Sequence, residues 1–246
     1  MSAACRVVPF PIYHEMNILF DLDGTLTDPG IGITRCIQHA LTSLGRPVPS
    51  QELLCRYIGP PLQGTFAELL ETEETAIVAE AIRIYRERFV TTGMFENSVY
   101  PEVPAGLKSL RNDGHRLWVA TSKPHVFARE IVRHFGLADF FEGVYGSELS
   151  GVNAEKGALI REILTQKGFA PEDTCMVGDR AQDIAGARAN GIEAVGVLWG
   201  YGGPLELQAA GADKIVATMG ELCEHVRRHE RPFPEVVPES GHFRRH

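Results

Sequence analysis

The chain predicts an α/β fold: a doubly wound parallel sheet interrupted by an all-helical insertion. Three observations carry that prediction. From residue 103 onward, short β-branched or apolar runs alternate with helical patterns of about ten residues, the signature of right-handed βαβ units. The helical patterns stop on glycines 114, 136, 168 and 191, as helices commonly do. Between about residues 30 and 98 the alternation ceases, and only helical patterns remain.

Taken in order, strands are expected at 17–20, 116–120, 143–145, 173–177 and 194–198, and core helices at 103–113, 126–135, 157–167 and 183–190. Within the insertion, helices are expected at 33–44, 51–57, 62–70 and 73–91, with no convincing strand. The implied division is an N-terminal extension (1–16), an α/β core (17–29 and 100–226), a helical cap (30–99) and a tail (227–246). The first fifteen residues lack the apolar core of a signal peptide and read as a short extension. The tail is rich in Pro, Arg and His, buries little and reads as disordered.

Chemistry concentrates at the strand ends. The run Ile18-Leu19-Phe20 stops in Asp21-Leu22-Asp23-Gly24-Thr25, two carboxylates on alternate positions before a tight turn. Alternation sends the two carboxylates to different places, so one can attack or hold a metal while the other handles protons. A second strand ends in Thr121-Ser122-Lys123 and leads into a helix, where hydroxyl and N–H groups can converge on an anion. Lys156 is an isolated cation before a helix. Asp179 and Asp183 lie four apart at a helix start, hence on one face, and such a pair asks for positive charge beside it. In a doubly wound sheet all four pieces converge on one edge, where such folds bind ligands.

In this order, Asp21-Leu22-Asp23-Gly24-Thr25-Leu26-Thr27-Asp28, the strand ending in Thr121-Ser122, Lys156 and Gly178-Asp179-Arg180-Ala181-Gln182-Asp183 resemble the four motifs of the haloacid dehalogenase-like superfamily of phosphohydrolases. Ile58-Gly59-Pro60-Pro61-Leu62, Tyr145-Gly146-Ser147 and Trp199-Gly200-Tyr201-Gly202 are similar to segments of its phosphoglycolate phosphatase branch, which also holds 5'-nucleotidases. The resemblance spans roughly residues 17–220. It implies a Mg²⁺-dependent phosphomonoester hydrolase working through an aspartyl-phosphate, with a cap that closes over the site. Asp21 is then nucleophile and metal ligand, and Asp23 is acid/base with a ligating backbone carbonyl. Thr121, Ser122 and Lys156 bind the phosphoryl group, Asp179 ligates metal, and Asp183 stands behind it. Gly59 belongs to the loop that reaches over the phosphoester, and Lys123 is expected to be structural or peripheral. A stiff, uncharged Gly-Pro-Pro loop without an evident aromatic clamp favours a small phosphorylated metabolite, best matched by 2-phosphoglycolate, over a 5'-nucleotide. A β-phosphoglucomutase-like isomerase shares all four motifs and remains open. A 2-haloacid dehalogenase does not need Asp23 or the acidic cluster.

Composition fits this reading. Apolar content of 44% and charged content of 23% are those of a globular protein. A net charge of −8 argues against a nucleic-acid surface, and no apolar run reaches the length of a membrane span. Five scattered cysteines without paired spacing fit reduced thiols and a cytoplasmic location. The nine histidines form no ligand pair at helical spacing. No feature of the sequence sets an oligomeric state.

Overall fold

The computed structural model describes residues 15–228. In chain order the elements are β1 (Asn17–Phe20), β2 (Thr27–Asp28), α1 (Gly30–Ser43), α2 (Gln51–Leu54), α3 (Leu62–Leu69), α4 (Thr75–Arg88) and β3 (Ser98–Val99). There follow α5 (Val103–Asn112), β4 (Arg116–Pro124), α6 (His125–His134), β5 (Gly143–Ser147), α7 (Lys156–Lys167), β6 (Thr174–Gly178), α8 (Ala181–Ala189), β7 (Glu193–Val197), α9 (Pro204–Ala210), β8 (Lys214–Val216) and α10 (Met219–Arg227).

Six strands form one sheet in the order β5-β4-β1-β6-β7-β8, and every pairing within it is parallel. Strand alternation sorts the side chains onto two faces. Ile18, Phe20, Val119 and Val177 join the core shared with α5, α6, α10 and the inserted helices. Leu19, Trp118, Ala120, Met176 and Ala194 join the core beneath α7, α8 and α9. Burial on both faces explains why these strands read as continuous apolar runs. The glycines expected to stop the core helices, Gly114, Gly136, Gly168 and Gly191, all carry positive φ.

The chain runs outward from β1 to β4 and β5, then crosses back to β6 on the other side of β1. The crevice at such a reversal is where doubly wound sheets bind ligands, and β4, β1 and β6 flank it. The inserted helices pack on themselves through α1 and α4, with Ile33, Cys36, Ile37 and Ala40 against Ala81, Ile82, Tyr85 and Phe89. The insertion is tied at its base by a ribbon that sequence reading passed over: Thr27 pairs with Val99 and Asp28 with Ser98, antiparallel. Also unforeseen are β8, α9 and α10.

At the chain's ends, Met16 of the expected extension is buried in the core, 1% exposed. Arg227, where the tail was expected to begin, closes α10 and pairs with Asp113 at 2.8 Å. The rest of both segments, 1–14 and 229–246, lies outside the described residues. Among the described residues no helix is long and apolar enough to cross a membrane, and Cys36, Cys55, Cys175 and Cys223 are free thiols.

Candidate active site

Asp21 follows the central strand directly, and its N–H donates to the Val177 carbonyl at 2.9 Å, carrying the β1–β6 ladder one residue past the strand. Its carboxylate therefore sits at the carboxyl edge beside the end of β6. Lys156, at the start of α7 and 2% exposed, reaches the same point: its Nζ lies 3.0 Å from Asp21 Oδ1, 2.8 Å from Asp183 Oδ1 and 2.8 Å from the Ala120 carbonyl. One buried ammonium thus links the ends of β1 and β4 to the start of α8. Burial disfavours its charge, but Asp183 and Asp21 outweigh burial and hold the ammonium raised.

Asp179 and Asp183 are both fully buried. Asp179 Oδ1 accepts from Thr25 Oγ1 at 3.1 Å and Oδ2 from the Tyr201 N–H at 2.8 Å. Gly200 makes this packing possible: a Cβ there would fall 2.3 Å from the Gly24 carbonyl oxygen and 2.4 Å from Asp179 Cβ. Trp199 closes the same loop by donating from Nε1 to the Thr25 carbonyl at 2.9 Å. Asp183 spends Oδ1 on Lys156 and Oδ2 on the Arg180 N–H at 3.1 Å, so it braces the cluster from behind. Carboxylate oxygens of Asp21, Asp179 and Asp183 come within 4.8 Å of one another. Burial and the neighbouring carboxylates Asp183 and Asp21 push Asp179 up to about 8, against the opposing hydrogen bonds of Tyr201 and Thr25. Burial likewise pushes Asp183 up to about 6, with Lys156 opposing. A cluster this reluctant to ionise is one whose charge a bound cation would relieve.

Asp23 faces a cavity of about 70 Å³ beneath the cap, lined on the core side by Asp21, Asp23, Thr121, Ser122 and Lys123. Its Oδ2 meets Lys123 Nζ at 2.7 Å, while Oδ1 is buried with no hydrogen-bond partner among the described residues. Burial raises the carboxyl, and Lys123 lowers it by less. Thr121 Oγ1 accepts from the Lys123 N–H at 3.3 Å, and Ser147 Oγ donates to the Ser122 carbonyl at 2.9 Å, fixing the loop after β4. From the cap, Gly59, Pro60, Pro61 and Leu62 roof the cavity, and Tyr57, Tyr85 and Phe89 of the cap with Phe127 of α6 supply aromatic wall. Tyr85 and Phe89 stack with centroids 5.5 Å apart.

Every residue singled out from the sequence thus lies at one edge: Asp21, Asp23, Gly59, Thr121 and Ser122 on the cavity, with Lys156, Asp179 and Asp183 around Asp21. Lys123, expected to be peripheral, instead pairs with Asp23 inside the cavity, and its Nζ lies 4.6 Å from the centre of the Phe89 ring. A lysine stem spans several ångströms, so sequence adjacency to Thr121 did not say which way it would turn. The aromatic wall was also missed, because Tyr85, Phe89 and Phe127 come from segments distant in sequence.

Residues 18–197 match the haloacid dehalogenase-like hydrolase family, and the chain belongs to it. The chain is 46% identical to a 5'-nucleotidase of Pseudomonas aeruginosa over 87% of this chain and 96% of that protein. It is 42% identical to the tyrosine-protein kinase PtkA of Mycobacterium tuberculosis, over 75% of this chain but only 62% of that protein. Identity to the plasmid phosphoglycolate phosphatase of Cupriavidus necator is 32%, over 83% and 90% of the two chains. Among solved structures, a "predicted phosphatase" from Clostridium acetobutylicum superposes with a TM-score of 0.83 at 39% identity, covering 88% of this chain and 99% of that one. Within the family this is a phosphatase of the phosphoglycolate phosphatase-like branch.

Proposed function

We propose that the protein hydrolyses phosphate monoesters through a phosphoryl group carried on Asp21. Lys156 holds Asp21 Oδ1, which leaves Oδ2 to attack phosphorus opposite the leaving oxygen. Asp23 protonates that oxygen from Oδ1, since Oδ2 is engaged by Lys123, and later takes a proton from the attacking water. Thr121, Ser122 and Lys156 bind the non-bridging oxygens as charge shifts onto them. The acidic cluster fits Mg²⁺, with the Asp21 and Asp179 carboxylates and the Asp23 backbone carbonyl as ligands and Asp183 behind them. Bound there, Mg²⁺ supplies the positive charge that lets a carboxylate approach a phosphate anion. The cap limits bulk water in the cavity, which strengthens the contacts to the charged phosphoryl group, while the one water that Asp23 deprotonates completes the hydrolysis. Free thiols and the small-molecule chemistry support a cytoplasmic site of action.

For the substrate, the observation that carries most weight is the aromatic wall. Tyr57, Tyr85, Phe89 and Phe127 line the cavity, where the sequence had suggested no clamp. That wall, with the similarity to a 5'-nucleotidase, supports a nucleoside 5'-monophosphate. A second reading, 2-phosphoglycolate, is supported by cavity size and by Arg86, the cation of the cap that lines the cavity and could meet a carboxylate. A cavity volume of about 70 Å³ is small and favours a compact phosphoester over a whole nucleotide. Comparing kcat/KM for 2-phosphoglycolate with that for a panel of nucleoside monophosphates decides between them. A nucleotide preference of tenfold or more, about 1.4 kcal/mol of transition-state binding, is expected. An equal preference for 2-phosphoglycolate would reverse the order. Retention of phosphate on a sugar, with isomerisation in place of release, would instead indicate a mutase.

A further inference from the structure

Arg180 stands between Asp179 and Asp183 in sequence, yet its side chain leaves the acidic cluster and enters the cap. Its Nη1 donates to the Ile58 carbonyl and, at 3.3 Å, to the Arg56 carbonyl. Its Nε is fixed by Glu206 Oε1 at 2.9 Å, and the same oxygen accepts the Ala181 N–H at 2.8 Å. The side chain is only 12% exposed. Meanwhile its backbone N–H donates to Asp183 Oδ2 at 3.1 Å. One residue therefore serves the acidic cluster with its backbone and the cap with its guanidinium.

The cap loop has few other ways to be held. Pro60 and Pro61 have no N–H to donate, so anchorage falls to the carbonyls that precede them. A guanidinium pinned by a carboxylate is a strong, preorganised donor for such carbonyls. Gly59 permits the close approach: its φ is +102°, and a Cβ there would fall 3.1 Å from Arg180 Cγ and 3.0 Å from Gln182 Nε2. The residues that follow, Pro60, Pro61 and Leu62, roof the cavity that holds Asp21 and Asp23.

We infer that Arg180 is a positioning residue, a latch that seats the 58–62 loop over the catalytic cavity and ties its seating to the β6–α8 segment bearing Asp179 and Asp183. If only a fraction of molecules has the loop seated, apparent substrate affinity falls by that fraction. The inference rests on the phosphatase reading, which wild-type turnover of p-nitrophenyl phosphate with and without Mg²⁺ tests on its own.

The latch is tested with Arg180→Ala, Arg180→Lys and Glu206→Gln in the full chain. For Arg180→Ala, KM for the preferred phosphomonoester should rise about tenfold while kcat stays within about threefold, the signature of a lost seated population. Amide exchange across residues 55–62 should quicken by about fivefold or more, with the sheet unchanged. Mg²⁺ affinity by calorimetry should hold within about twofold, since no proposed ligand is touched. Arg180→Lys keeps a donor and should fall between Ala and wild type. If Arg180→Ala does not fold, Glu206→Gln carries the test, with the same shifts at smaller size. Unchanged KM and unchanged exchange would overturn the latch. So would a collapse of kcat and Mg²⁺ affinity with exchange unaltered, which would make Arg180 a prop of the acidic cluster alone. If the wild type shows no turnover but exchange still responds to Arg180→Ala, the latch stands and the phosphatase reading fails.

Discussion

Lys123 clasps Asp23. The 2.7 Å ion pair joins two side chains that are 8% and 9% exposed, and the Phe89 ring covers the ammonium from the cap side. The pair engages Oδ2 and leaves Asp23 Oδ1 without a hydrogen-bond partner among the described residues, the oxygen that carries the proton in the proposed mechanism.

Replacing Lys123 by Met removes the cation but keeps much of the stem. Burial then raises the Asp23 carboxyl with only the more distant Lys156 opposing it. The expected outcome is a fall in kcat of about tenfold to a hundredfold, with the acidic limb of the kcat–pH profile moved upward. Superimposable profiles would remove Lys123 from the chemistry.

Asp21→Asn and Asp23→Ala should fail at different steps. On the proposed mechanism Asp21→Asn removes the nucleophile and a metal ligand, so turnover should fall by several orders of magnitude. Asp23→Ala should still accept phosphate from p-nitrophenyl phosphate, whose leaving group needs no acid, and then hydrolyse slowly. Mass spectrometry should find an adduct of about 80 Da on the peptide containing Asp21. Its absence from Asp23→Ala under turnover would count against the covalent route.

Stability should depend on pH with a definite sign. In the metal-free protein Asp179 and Asp183 sit at about 8 and about 6, above the ordinary carboxylate value of about 4. Their contribution is complete below the ordinary value and is lost as pH rises through about 6 and then about 8. The Tm of metal-free protein should therefore fall across that window, and Asp179→Asn should flatten the fall. Mg²⁺ selects the ionised carboxylates, so its stabilisation should grow with pH, to about 2.7 kcal/mol at a hundredfold excess over Kd. Differential scanning calorimetry at several pH values reads both. A Mg²⁺ shift in Tm that shrinks toward pH 8 would contradict the acidic cluster as its site.

Gly200→Ala would insert a methyl group where the Gly24 carbonyl and Asp179 already stand. The neighbours must move, costing about 1–3 kcal/mol of stability. Because Asp179 is one of those neighbours, Mg²⁺ affinity should drop about tenfold or more, as supporting contacts of metal sites do when disturbed. Isothermal titration against the wild type checks this, and an unaltered affinity would show that the loop yields without moving Asp179.

Strands buried on both faces announce themselves as apolar runs, so β1, β4, β6 and β7 were legible within a few residues, and the partly buried edge strand β5 was legible from its short Val144-Tyr145 run. The motifs were legible too, because strand ends in a parallel sheet share an edge. What escaped notice had local reasons. The edge strand β8 has three residues, and Lys214 at its start is exposed, so it offers neither length nor alternation. The ribbon of β2 and β3 has two residues a side, below any periodicity. Lys123 and Arg180 escaped because the reach of a long side chain is decided by partners far off in sequence: Asp23 for one, Ile58 and Glu206 for the other. Met16 escaped because a single apolar residue ahead of a strand carries no pattern.

That two-rung ribbon has a consequence beyond anchoring. The chain departs from the sheet at Thr27 and Asp28 and comes home at Ser98 and Val99, side by side. Whatever is strung between those rungs hangs from one doorway, so its length can change without moving either end. Insertions or exchanges in the strung helices that keep their packing on the sheet leave the strand order and the acidic edge where they are. Heredity can therefore rewrite which ester is admitted without touching the residues that would break it.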